Sequence, residues 1–176
     1  GTPLLPLCRQ MGKEDFAVVE LSSFQLMDMK RSPQRALITN LAPNHLDIHK
    51  DMEEYVDAKK NIFKYQDKTG ILVLNADNDL LPAAQIPSRL RAVWFGIEAE
   101  DADVRATDIT AGANGTAFRI VDREYGSFAA SIPTVGLHTV YDALAAYAAA
   151  TRMGLDAARC AAALANYQTT GMRQHI

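Results

Sequence analysis

Cysteine is nearly absent from this sequence. Cys8 and Cys160 are the two in 176 residues, and their wide separation argues against a disulfide scaffold and for a reducing, cytoplasmic setting. No apolar run reaches the roughly 18 residues that a membrane-spanning helix needs, and no charged-then-apolar leader is recognisable. Clusters of Lys and Arg are missing too. At a net charge of -3 the chain lacks the concentrated basic face that nucleic-acid or membrane-surface binding requires, which leaves small anionic ligands open. There is no internal repeat, and the alanine bias near the end is core composition and not a linker. The chain opens at Gly1-Thr2-Pro3 without a methionine and is expected to be a fragment or a processed form. Its length suits one well-buried domain, with at most a small appendage.

The densest signal lies in residues 36–60, ALITNLAPNHLDIHKDMEEYVDAKK. Residues 36–39 read as a buried strand, bounded by Pro33 on one side and by Asn40 and Pro43 on the other. The polar residues arrive together just past the strand end, where open α/β sheets bind ligands. In the helix that follows, Met52, Tyr55, Val56, Ile62 and Phe63 share one stripe, and Lys59 falls inside it. Either its stem lies on apolar surface with the ammonium reaching water, or it belongs to a site.

Residues 1–12 are Pro- and Leu-rich without periodicity and read as a packed connection. Residues 15–21, DFAVVEL, read as a second buried strand ending in Glu20. A carboxylate there is either paired or cation-bound, or it faces solvent at the strand end. Ser22 or Ser23 can cap a short helix over residues 24–29. Residues 70–75 and 90–96 read as further strands, with Asp77 a candidate N-cap opening another βα unit. Strands alternating with helix-sized segments predict an α/β fold, a mostly parallel sheet flanked by helices. Residues 102–132 then change to alternating polarity with Asn114-Gly115 as a hairpin signal, predicting a small antiparallel meander packed to the side. Two Ala-rich helices, 140–153 and 157–167, follow, with Asp156 capping the second.

The segments ELSSFQL (20–26), TNLAPNHLD (39–47), DAKKNIF (57–63) and NADN (75–78) together resemble the Mur ligase family, in its D-glutamate-adding branch. The resemblance covers nearly the whole chain, and it implies that residues 1–176 are a central ATPase domain with the 102–132 meander inside it. It further implies an ATP-dependent ligase, with magnesium, that joins D-glutamate to UDP-N-acetylmuramoyl-L-alanine through an acyl-phosphate in peptidoglycan synthesis. Carried over by position, Glu20 and His45 match magnesium ligands, and Lys59 matches the lysine that becomes a carbamate and helps hold a second magnesium. A carbamate turns a cation into an anion, so a lysine in a carboxylate- and histidine-lined crevice then stops being out of place. Ser22 and Gln25 match positions near the nucleotide-sugar substrate, while Asn40, His138, Asp142 and Arg173 fall at ATP-side positions. Glu20, Asn40 and His45 are expected to gather at one sheet edge. His49 lies four residues after His45, but that spacing needs a helix and the stretch precedes one, so it reads as structural.

The departures from the family pattern matter as much. The glycine-rich phosphate loop ending in Gly-Lys-Thr does not occur in these residues, and the UDP-binding and glutamate-binding domains lie outside them, so the isolated chain is expected to be inactive. Where the family shows Asn residues that read adenine, this chain has Thr139 and Asp142, and their spacing is close to a capping box. Two other readings stand beside the first. One is a different Mur-like ligase, of the precursor-amidating or folylpolyglutamate type. The other is a degenerate, non-catalytic binding module.

Overall fold

The computed structural model describes residues 4–42, 51–80 and 85–168. One six-stranded sheet carries the fold: β1 (Arg35–Ile38), β2 (Ile71–Asn75), β3 (Arg91–Gly96), β4 (Val104–Gly112), β5 (Gly115–Asp122) and β6 (Gly126–Ile132), in that order across it. The first four run parallel, and β4–β5 and β5–β6 pair antiparallel. The meander is therefore no side-packed unit. It continues the parallel sheet through the pairs Phe95↔Val104 and Gly96↔Arg105, so both parts share one core.

In β2, Ile71 to Leu74 are all buried because both faces are covered, as a continuous apolar run requires. On one face the helix α3 (Met52–Lys64) sets Tyr55 and Phe63 against Leu72 and Leu74. On the other, α4 (Leu137–Arg152) brings Val140, Leu144, Tyr147 and Ala148 and α5 (Ala157–Ala163) brings Ala157 and Ala161 into one core with Val73, Phe95, Val104 and Ile120. The alanines of α4 let its backbone approach the sheet closely. Its C-terminus closes in a Schellman arrangement, Leu155 N donating to Ala150 O and Gly154 N to Thr151 O, with Gly154 at φ 92°. Asp156 caps α5 by accepting from Arg159 N at 2.8 Å. Two short helices, α1 (Leu4–Cys8) and α2 (Ser23–Met27), precede the sheet, so the opening residues do contain a regular turn.

Four local expectations are corrected. Residues 15–21 form no strand, and Phe16 and Val18 are 64% and 93% exposed. The run enters no ladder, not even on the outer edge of the terminal strand β1, and without a ladder its backbone has no partner to hold it extended. The described residues between β2 and β3 form turns with no α-helix, and Asp77 caps no helix there. The Thr139–Asp142 capping box is not made: α4 begins earlier, at Leu137, with Gly136 at φ 127° as N-cap, and the Thr139 hydroxyl donates to Gly136 O at 2.7 Å. Finally, the hairpin closes on Gly112↔Gly115, which puts Ala113-Asn114 at its tip, one residue before the expected pair.

Gly115 holds that hairpin at φ 146°, where a Cβ would lie 2.2 Å from the Ile132 carbonyl oxygen. Gly115→Ala is expected to destabilise the protein by about 1–3 kcal/mol through backbone strain and this clash. Urea denaturation followed by the fluorescence of Trp94, the single tryptophan, measures it.

Candidate functional site

Two groups of polar side chains sit on the scaffold just described. The first is built by α2 and α3. Ser22 caps α2 in a capping box: Gln25 N donates to Ser22 Oγ at 3.3 Å, and Ser22 N donates to Gln25 Oε1 at 2.9 Å. The Ser22 hydroxyl also donates to Gln25 Oε1 at 3.1 Å, so these two candidate substrate residues are bonded to each other. On α3, Asp51 accepts from Glu54 N at 2.9 Å, and Glu53 and Glu54 in the first turn complement the helix dipole. The buried Asn61 amide then ties the two helices, donating to Leu26 O at 2.9 Å and Met27 O at 3.2 Å at the end of α2. Ser32 closes the far end of α3, donating to Asn61 O and accepting from Tyr65 N.

This pinning carries Glu20, two residues before the N-cap Ser22 of α2, into electrostatic range of Lys59. Lys59 is half-buried, its Nζ 6.0 Å from the centre of the Tyr55 ring. Burial pulls its pKa down, the negative charge of Glu20 opposes this, and the net displacement is downward. Among the described residues no three His, Cys, Asp or Glu side chains cluster as metal ligands. His45, the third member of the expected metal set, lies outside the described residues, as do His49 and Arg173.

The second group lines the carboxyl ends of the parallel strands. A shallow depression there is bounded by Ile38, Asn40, Leu41, Leu74, Asn75 and Asn78. Asn78 Nδ2 donates to Asn40 Oδ1 and, at 2.8 Å, to Leu41 O, while Asn75 Nδ2 donates to Thr39 O at 3.1 Å. Next to them the Asp77 carboxylate accepts from the backbone amides of Ile97, Glu98 and Ala99 and from the Tyr141 hydroxyl. Burial pushes the Asp77 carboxyl up, but these four donors outweigh it and hold it below the usual carboxylate range. Burial and the bond to Asp77 raise the Tyr141 phenol in turn. His138 and Asp142 are exposed in the first turns of α4, the His138 ring lying over Gly136, where a Cβ would come within 2.7 Å of it.

Asn40 thus stands at the strand edge and Glu20 beside α3, while His45 falls outside the described residues. Sequence reasoning missed Asp77, Tyr141 and Asn61 as organisers of these groups. The NADN segment was a signal for Asp77, but neither partner of the other two could be found without the fold.

A mostly parallel sheet with polar loops gathered at its carboxyl edge is an open α/β scaffold, and such scaffolds bind their ligands at that edge. Residues 3–150 match the Mur ligase middle domain family, and the chain belongs to that family. A UDP-N-acetylmuramoylalanine--D-glutamate ligase of Clostridium novyi is 46% identical over 149 residues, which are 84% of this chain and 31% of that protein. A ligase of the same description from Clostridium botulinum is 62% identical over 80 residues, 46% of this chain and 18% of that one. Among solved structures, MurF from Acinetobacter baumannii superposes with a TM-score of 0.70 at 25% identity, covering 82% of this chain and 31% of that one. A UDP-N-acetylmuramoyl-L-alanyl-D-glutamate--2,6-diaminopimelate ligase gives 0.69 at 26% identity, over 79% of this chain and 29% of that one. The chain therefore spans about a third or less of these relatives.

Proposed function

We propose that this chain is the ATP-handling middle domain of a ligase that joins D-glutamate to UDP-N-acetylmuramoyl-L-alanine in the cytoplasm. The carrying observation is the 46% identity across 84% of the chain to a ligase of that description. The chemistry of the residues agrees with it. A ligase of this kind activates a carboxylate as an acyl-phosphate, and the incoming amine then displaces phosphate. The protein's part is positioning and charge stabilisation.

Glu20 and Lys59, together with His45, are the residues that would hold magnesium, Lys59 as a carbamate. The donor set fits a hard cation, since a carboxylate and a carbamate both offer oxygen, and His45 is the least expected member. Magnesium when bound neutralises charge on the transferring phosphoryl group. Only an uncharged amine captures carbon dioxide, and the burial that depresses Lys59 enlarges that fraction. Glu20 at the same time supplies the local negative field that favours a cation. At the strand edge, Asn40, His138 and Asp142 would face the nucleotide, with Arg173, and Ser22 and Gln25 would lie toward the nucleotide sugar.

The full-length protein supplied with ATP, magnesium, UDP-N-acetylmuramoyl-L-alanine and D-glutamate is expected to release phosphate only when both acceptor and amino acid are present. Diaminopimelate with UDP-N-acetylmuramoyl-L-alanyl-D-glutamate, and D-alanyl-D-alanine with the diaminopimelate-extended acceptor, serve as the alternative pairs. Turnover with either of them and not with D-glutamate would move the chain to another ligase of the family, and nucleotide binding without turnover on any pair would favour a non-catalytic module.

A further inference from the structure

We propose that Asp77 is a positioning residue of the nucleotide site, locking the first turns of α4 to the loop that leaves β3. This rests on reading the strand edge as the nucleotide side of an ATP-dependent ligase. Asp77 Oδ2 accepts from Ile97 N at 2.7 Å, Glu98 N at 3.0 Å and Tyr141 Oη at 2.8 Å, and Oδ1 accepts from Ala99 N at 2.7 Å. Most of its hydrogen-bonding capacity is thereby committed to the protein, so its role is to hold other groups in place and not to touch substrate.

The groups it holds are telling. Tyr141 lies three residues after His138 and immediately before Asp142, on a helix whose N-cap, Gly136, makes no side-chain cap bond. The start of α4 is thus anchored through a tertiary contact where most helices use a local one. On its other side Asp77 continues a hydrogen-bonded rim. Its own N–H donates to Asn75 Oδ1 at 2.9 Å, Ala76 N donates to Phe95 O at 2.7 Å, and Asn78 reaches Asn40 and Leu41. One run of contacts therefore joins Asn40, just past β1, to Tyr141 on α4, the residue next to Asp142 and one turn after His138. Gly96 makes room for it, since a Cβ there would lie 3.0 Å from both Asp77 carboxylate oxygens.

The test compares affinities of the full-length protein for ATP and for inorganic tripolyphosphate, which has the phosphates but no nucleoside. Asp77→Ala is expected to weaken ATP about tenfold or more, the scale of lost hydrogen bonds to a charged group, and to leave tripolyphosphate unchanged. Tyr141→Phe removes the α4 link alone and is expected to shift ATP in the same direction by less, which keeps the test alive if Asp77→Ala fails to fold. Unchanged ATP affinity in a folded Asp77→Ala protein would overturn the inference, as would equal losses for both ligands, the mark of general loosening. A wild-type protein that binds tripolyphosphate as tightly as ATP would instead overturn the underlying reading of this edge.

Discussion

Replacing Lys59 by alanine in the full-length protein is expected to lower ligation turnover about a hundredfold or more, the ~3 kcal/mol range that a misplaced metal charge costs at a phosphoryl-transfer centre. Lys59 sits half-buried on α3 beside Tyr55, with Glu20 in electrostatic range and its pKa displaced downward by burial. As an ammonium it would repel magnesium, and as a carbamate it would bind it. A short-chain carboxylate added to the alanine variant is therefore expected to restore part of the rate by taking the carbamate's place. Full activity without Lys59 would show a lysine that merely rests its stem on apolar surface. Lys59→Arg separates the two cases again, because arginine keeps the charge and the stem but cannot be carbamylated.

Severing the ion pair between Asp122 and Arg152 is expected to destabilise the protein by about 3–5 kcal/mol. Arg152, in the last turn of α4, donates NH2 to Asp122 Oδ1 at 2.9 Å and NH1 to Asp122 Oδ2, with side-chain exposures of 2% and 0%. The guanidinium also lies 5.0 Å from the centre of the Tyr125 ring and donates to Thr151 Oγ1 at 3.0 Å. Arg152→Leu leaves the Asp122 charge buried without its counter-ion. The double variant Asp122→Leu/Arg152→Leu is expected to recover part of the loss, because no buried charge then remains. Denaturation monitored through Trp94 tests both. A single variant as stable as the parent would mean that water reaches Asp122 and solvates it.

The sequence by itself determined the elements whose signal is local. The apolar run of β2 is buried on both faces, Asp156 caps α5, Ser22 caps α2, and the stripe of Met52, Tyr55, Val56, Ile62 and Phe63 forms α3. Each depends on residues within one or two turns of each other, so periodicity and capping chemistry suffice. The proposal that Lys59 and Glu20 share one site rests on ordered motifs spread over some forty residues and on the electrostatic range between the two side chains. What the residues alone could not decide was pairing. Residues 15–21 have the composition of a strand, yet a strand exists only where its backbone enters a ladder, and this run enters none. The meander's place in the main sheet turns on two register pairs between β3 and β4. Asp77 with Tyr141, Asn61 with the end of α2, and Asp122 with Arg152 join residues 64, 35 and 30 positions apart. Such contacts carry no periodic trace in the chain, because a buried polar group needs a partner supplied from elsewhere and only the packed structure determines which one arrives.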